Sequence, residues 1–197
     1  LLSGNYDEAV KMIDLEKSVP EKHRNTVMIL KGDADYFRGN YTQALVSFEA
    51  ASAKDADISS VMKKAFTLKA LNEFEKAGDV FFTAADERIF DGKNPETVKN
   101  ALLNSSDCYF KAKSYDKGIT ALQRFLERYP NDQASDRINF MIGRSYYDSE
   151  KYASAYEILR DHFLNYPTSQ YIDDAVFTCA ESAFKQQNWE KAFEQYD

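Results

Sequence analysis

The sequence predicts an all-α protein assembled from repeated helix pairs, and three observations carry that prediction. The first is composition. The 197 residues include only seven Gly and four Pro, while 44% are hydrophobic and 29% charged. That balance supports helices around a packed core and argues against both disorder and a turn-rich β fold. The second is an internal repeat. GNYDEAV (4–10) returns as GNYTQAL (39–45), and an aromatic followed three residues later by Ala or Gly recurs at Tyr6/Ala9, Tyr41/Ala44, Phe74/Ala77, Tyr115/Gly118, Tyr152/Ala155 and Trp189/Ala192. The aromatics are spaced by 35, 33, 41, 37 and 37 residues, and a period of about 34 marks stacked helix pairs. The third is the pattern between these hits. NTVMILKGDADYFR (25–38) and RINFMIGRSYYDS (137–149) place apolar or small residues at the three-and-four spacing of a helix with one buried stripe.

Taken in order, residues 1–22 read as the second helix of a pair (about 4–18), followed by repeats at 25–57, 58–91, 94–133 and 134–170, and a last partial repeat at 171–197. In each pair the second helix begins at the aromatic. Ala44 is followed four residues on by Phe48, Ala77 by Phe81, Ala155 by Leu159 and Ala192 by Tyr196. The small residue lets two helix backbones approach, and the larger one fills the next hole on the same face. The spacing of 41 marks an insertion around ERIFDGKNPETV (87–98), where Asn94 and Pro95 suit an N-cap and a first helical position. We read 1–197 as a single array cut at both ends, since neither end carries a polar capping helix.

These residues resemble the tetratricopeptide repeat family. That family places Gly or Ala and then Tyr on the first helix of a unit (helix A), alternates aromatic and Ala on the second (helix B), and closes with Pro. Residues 136–167 match best, with Gly143, Tyr146, Tyr152, Ala155, Leu159 and Pro167. Residues 25–51 match at Gly32, Tyr41, Ala44, Phe48 and Ala51, but Asp35 stands where the helix A Tyr is expected; 58–84 carries Ala65 and Leu68 in place of Gly and Tyr. The resemblance implies a right-handed superhelical solenoid of antiparallel helix pairs. The ends FLERYP (125–130) and FLNYP (163–167) are similar to units of bacterial cell-envelope members, the Tol–Pal coordinator and outer-membrane assembly lipoproteins, which implies a periplasmic or outer-membrane-associated location.

The resemblance also implies where a partner binds: the concave face lined by helix A. Its fifth positions fall on Ile29, Met62, Leu103, Phe140 and Phe177, its ninth on Asp33, Phe66, Asp107, Arg144 and Glu181, and its twelfth on Tyr36, Lys69, Phe110, Tyr147 and Phe184. The candidate protein-binding residues are Tyr36, Phe37, Phe66, Lys69, Phe110, Lys111, Arg137, Arg144, Tyr147 and Phe184. Aromatics and Arg dominate interface energetics, although an aromatic stripe at helical spacing also serves as core. Of these, the twelfth-position rings are expected to project into the groove. The Lys/Asn clamp that some family members use for a C-terminal carboxylate is missing, because the fifth positions are apolar and the ninth carry no Asn, two of them being Asp.

Chemistry is not legible. Cys108 and Cys179 form neither a CxxC nor a Cys/His cluster, which excludes a disulfide framework and zinc spacing. They fall near the core stripe, where a thiol is inert. His23 falls in a turn between repeats, and His162 on a helix B position usually small or apolar. Asp33/Asp35 and Asp173/Asp174 read as solvated faces or caps. No phosphate-loop, dinucleotide, zincin or serine-elbow motif occurs. No catalytic residue, cofactor or metal is therefore expected. The net charge of −7, spread over both halves, disfavours nucleic acid as partner, and no apolar run reaches membrane-span length. The expected function is a non-catalytic scaffold that takes a peptide or partner helix. The alternative is a structural subunit of a motility or secretion assembly, packing through its convex face and ends.

Overall fold

Nine helices account for most of the residues that the computed structural model describes, namely 11, 20, 23–52, 58–86, 95–189 and 192. They are α1 (Arg24–Phe37), α2 (Tyr41–Ser52), α3 (Ile58–Ala70), α4 (Phe74–Ala84), α5 (Pro95–Lys111), α6 (Tyr115–Arg128), α7 (Ser135–Asp148), α8 (Tyr152–Asn165) and α9 (Ile172–Lys185). No strand occurs among the described residues. The expected helix at 4–18, with Tyr6 and Ala9, lies outside the described residues, as do most of the insertion (87–94) and Tyr196. Pro95 opens α5, where its missing N–H costs nothing.

Tyr41, Phe74, Tyr115 and Tyr152 are each the first residue of their helix. The Ala or Gly three residues later closes the first turn: the N–H groups of Ala44, Ala77, Gly118, Ala155 and Ala192 donate to the carbonyls of Asn40, Glu73, Ser114, Lys151 and Asn188. The preceding turn is equally regular. After α1 the Gly39 N–H reaches the Tyr36 carbonyl and the Asn40 N–H the Asp35 carbonyl, and the same pair of bonds follows α3, α7 and α9. This is the Schellman closure, which requires one residue in the left-handed region. Gly39 supplies it at φ 80°, but the equivalent positions are Asn72, Lys113, Glu150 and Gln187, at φ 58–61°. Left-handed backbone costs a β-carbon-bearing residue about 1–2 kcal/mol. Glu150→Gly is therefore expected to raise stability by about 1 kcal/mol, read as a higher urea midpoint at unchanged m-value; no change would show that the side chain at 150 contributes as much as the strain costs.

The chain divides into two compact units, Leu1–Ala112 and Lys113–Asp197. In the first, α1 packs on α2, α2 on α3, α3 on α4 and α4 on α5. A β-carbon on Gly32 would lie 2.5 Å from the Phe48 ring, so glycine is what lets α2 seat Phe48, itself buried, against α1. Ala65, Leu68, Ala77, Phe81 and Cys108 form a core cluster further along. α5 is pinned to α4 by Ser105 Oγ donating to the Gly78 carbonyl at 2.9 Å and Tyr109 Oη to Asp79 at 2.7 Å. Burial and then that carboxylate raise the Tyr109 pKa.

In the second unit α6 packs on α7, α7 on α8, and α8 and α7 on α9. Gly143 repeats the role of Gly32: a β-carbon there would meet Leu159 at 2.6 Å. Ala155, Tyr156, Leu159, Ala175, Cys179, Ala183 and Ala192 form the core. Neither thiol is in a disulfide and both are fully buried, Cys179 Sγ donating to the Tyr156 carbonyl at 3.4 Å; burial foremost pushes the Cys108 thiol pKa up.

His162 is buried, as a residue at that position should be, but it is polar. Its Nε2 sits 2.8 Å from Asp136 Oδ1 in the first turn of α7, and the same oxygen accepts from Ser169 Oγ at 2.7 Å. Its Nδ1 has no hydrogen-bond partner. The ring lies 5.3 Å from Tyr166, the residue that caps α8. The corresponding place at the end of α6 is held by Phe125, buried and 5.3 Å from Tyr129, which caps that helix with nearly the same backbone angles.

Candidate functional site

In the first unit α1, α2 and α3 enclose a cleft of about 260 Å³ lined by Asp33, Tyr36, Phe37, Phe48, Lys63 and Phe66. Helical spacing puts Asp33 and Phe37 four residues apart on one face of α1, and Lys63 and Phe66 three apart on α3. Tyr36 meets Phe37 edge to face at 5.9 Å and Tyr41 at 5.2 Å; Phe66 meets Phe81 at 5.0 Å. Phe37 is 64% exposed. Lys63 Nζ is ion-paired with the Asp33 carboxylate and lies 5.9 Å from the centre of the Phe48 ring.

Asp33 and Asp35 correct the expectation of a solvated acidic face. Asp33 is paired with a lysine from the next helix pair. Asp35 is almost wholly buried, 3.4 Å from Arg38. Asp173 and Asp174 are exposed in the first turn of α9, where acidic side chains suit the helix dipole.

The ninth and twelfth positions of neighbouring first helices prove to be joined. Lys69 Nζ lies 2.7 Å from Asp107 and 3.4 Å from Asn104, bridging α3 to α5. Lys111 shares the same carboxylate at 3.3 Å and stands 5.7 Å over the Phe74 ring. Burial pushes the Asp107 carboxyl pKa up, but the hydrogen bonds from Lys69 and Lys111 outweigh it, and the net shift is downward. Phe110 is half-buried beside them.

In the second unit Tyr147 Oη donates to Glu181 at 2.8 Å, bridging α7 to α9. That bond, ahead of burial, raises the phenol pKa to about 12. Tyr147 is half-buried, packed against the core of this unit. Arg144 lies 5.6 Å over Tyr147 and pairs with Asp148 at 3.1 Å. Arg137 is exposed on α7. Phe177, Phe184 and Trp189 are each more than half exposed, the last two in edge-to-face contact at 4.9 Å.

Of the ten sequence candidates, Tyr36, Phe37 and Phe66 thus meet in one cleft, and Lys69 and Lys111 meet on Asp107. Arg144 and Tyr147 stack in the second unit. Phe48 and Lys63 were missed. Phe48 reads as pure core, and Lys63 becomes visible only when α3 is laid beside α1. Among the described residues no group of three or more His, Cys, Asp or Glu could hold a metal, and no helix is long and apolar enough to cross a membrane.

Comparison with known proteins bears on this arrangement. A family model described as tetratricopeptide repeat matches residues 100–132. A second, described as anaphase-promoting complex, cyclosome, subunit 3, matches 125–197. Among solved structures, the apo form of RapI superimposes with a TM-score of 0.65 at 15% identity, over 99% of this chain and 57% of its own. The MamA protein gives 0.60 at 13%, over 89% of each chain. A tetratricopeptide repeat protein from Parabacteroides merdae gives 0.57 at 16%, over 98% of this chain and 72% of its own. The fold is that of the tetratricopeptide repeat proteins. The two family matches support that superfamily for residues 100–197. Tetratricopeptide repeat proteins are in general interaction scaffolds rather than catalysts. This chain spans little more than half the length of RapI, and no curated protein matches it.

Proposed function

We propose that the protein is an interaction scaffold whose first unit docks an apolar side chain of a partner segment between Tyr36, Phe37 and Phe66. The cleft itself carries this reading: a concave space of about 260 Å³ with aromatic walls and its charges already paired. Such a site rewards burial of a large apolar group and leaves no charge unpaired. The partner is a peptide or helix of another protein, and the setting is the bacterial envelope. Support for that setting comes from the Tyr129–Pro130 and Tyr166–Pro167 helix ends, which resemble those of cell-envelope repeat units.

A benzophenone amino acid at position 37 is expected to crosslink one discrete envelope protein in cells, with loss of the product in Phe66→Ala. The same probe at Val46, equally exposed on α2, should remain unreacted. Equal labelling at 37 and 46 would overturn the reading.

A second reading has its own observation. Phe177, Phe184 and Trp189 make an exposed aromatic surface on the second unit, which suits a subunit packed permanently in an assembly. The family matched at 125–197 is itself described as a subunit of a complex.

A further inference from the structure

The cleft does not stand alone on its face of α3. Phe66 lines it, and Lys69 follows three residues later on the same side of the helix. There two ammonium groups, Lys69 and Lys111, share one carboxylate, Asp107. The Asn104 amide is already engaged, its oxygen by Lys69 and its nitrogen by the Asn100 carbonyl. The Asp33–Lys63 pair beside the cleft is neutral. The residual charge of this cluster is therefore one positive, on a protein whose net charge is −7. The corresponding step in the second unit has the opposite sign. There a neutral phenol, Tyr147, bonds Glu181, and Arg144 is balanced by Asp148, leaving one negative.

Resting on the reading of the cleft as a docking site, we propose that its occupant is an acidic amphipathic segment: an apolar side chain in the cleft, followed within one helical turn by an Asp or Glu that Lys69 and Lys111 receive. A basic segment would have to displace two lysines from Asp107 to gain one carboxylate. An acidic one adds a second carboxylate to two ammonium groups already held in place. Both lysines are partly exposed, so the carboxylate contributes selectivity and association rate more than affinity.

A displayed library of random twelve-residue peptides, selected against the whole chain, tests this. Selected peptides are expected to carry an aromatic or large aliphatic residue followed within four positions by Asp or Glu. Lys111→Glu should weaken them by about fivefold to tenfold, with Lys111→Arg restoring affinity, and raised salt should weaken binding to the parent chain. Circular dichroism confirms that each variant is folded. If Phe37→Ala abolishes binding but the peptides show no acidic excess, or Lys111→Glu leaves affinity unchanged, the inference fails and the cleft reading stands. If no peptide is enriched, or Phe37→Ala has no effect, the cleft reading fails and the inference with it.

Discussion

Phe48→Ala is expected to cost about 3–5 kcal/mol, the range for a fully buried ring whose site cannot collapse. The ring is 1% exposed and sits against Gly32, so its removal leaves a hole bounded on one side by bare backbone that has no side chain to move in. It also forms part of the cleft and lies beneath Lys63. Urea denaturation followed by circular dichroism should therefore show a transition for the first unit moved to much lower denaturant. Cleft binding should be lost at concentrations where the chain is still helical. A loss under about 1 kcal/mol would mean that α1 and α2 repack into the vacated space.

Asp136→Ala should cost about 2–4 kcal/mol, because it strips the acceptor from two donors at once, the His162 Nε2–H and the Ser169 hydroxyl. His162 is then buried with neither ring nitrogen bonded, Nδ1 having no partner to begin with. The contrasting substitution is His162→Phe. Phe125 occupies the corresponding place against Tyr129, so a phenyl ring fits this geometry, and the partly exposed Asp136 can be solvated when its partner goes. That variant should remain within about 1 kcal/mol of the parent. Thermal melts of the two variants decide the matter: equal losses would show that the imidazole itself, rather than the satisfaction of its hydrogen bond, holds α8 to α7.

Much of this architecture was legible from local signals. Tyr41, Phe74, Tyr115 and Tyr152 mark helix starts because the turn before them and the small residue after them recur in every unit, and the Gly32/Phe48 and Gly143/Leu159 contacts follow from the same register. What escaped depends on how the helices pack. Asp35 looks solvated because it is a carboxylate two residues from a second one, Asp33, yet it is almost wholly buried. Asp33 looks like a free acid until Lys63, thirty residues on, is placed opposite it. The position of Tyr147 does not reveal that its hydroxyl is bonded to Glu181, which comes from the following helix pair. The cleft was half visible: its rings were chosen by position, whereas its lysine belongs to no repeat pattern.

The helix-to-helix bridges also bear on how the chain acquires its structure. Asp33–Lys63, Lys69–Asp107 and Tyr147–Glu181 close over 30, 38 and 34 residues. Contacts of such short range favour fast folding, since little loop entropy is lost before each forms. On a ribosome, each bridge can close once the roughly 40 residues that span it have emerged. Folding can thus keep pace with translation one helix pair at a time, and the cleft, built entirely from residues before position 67, can form while the second unit is still being made.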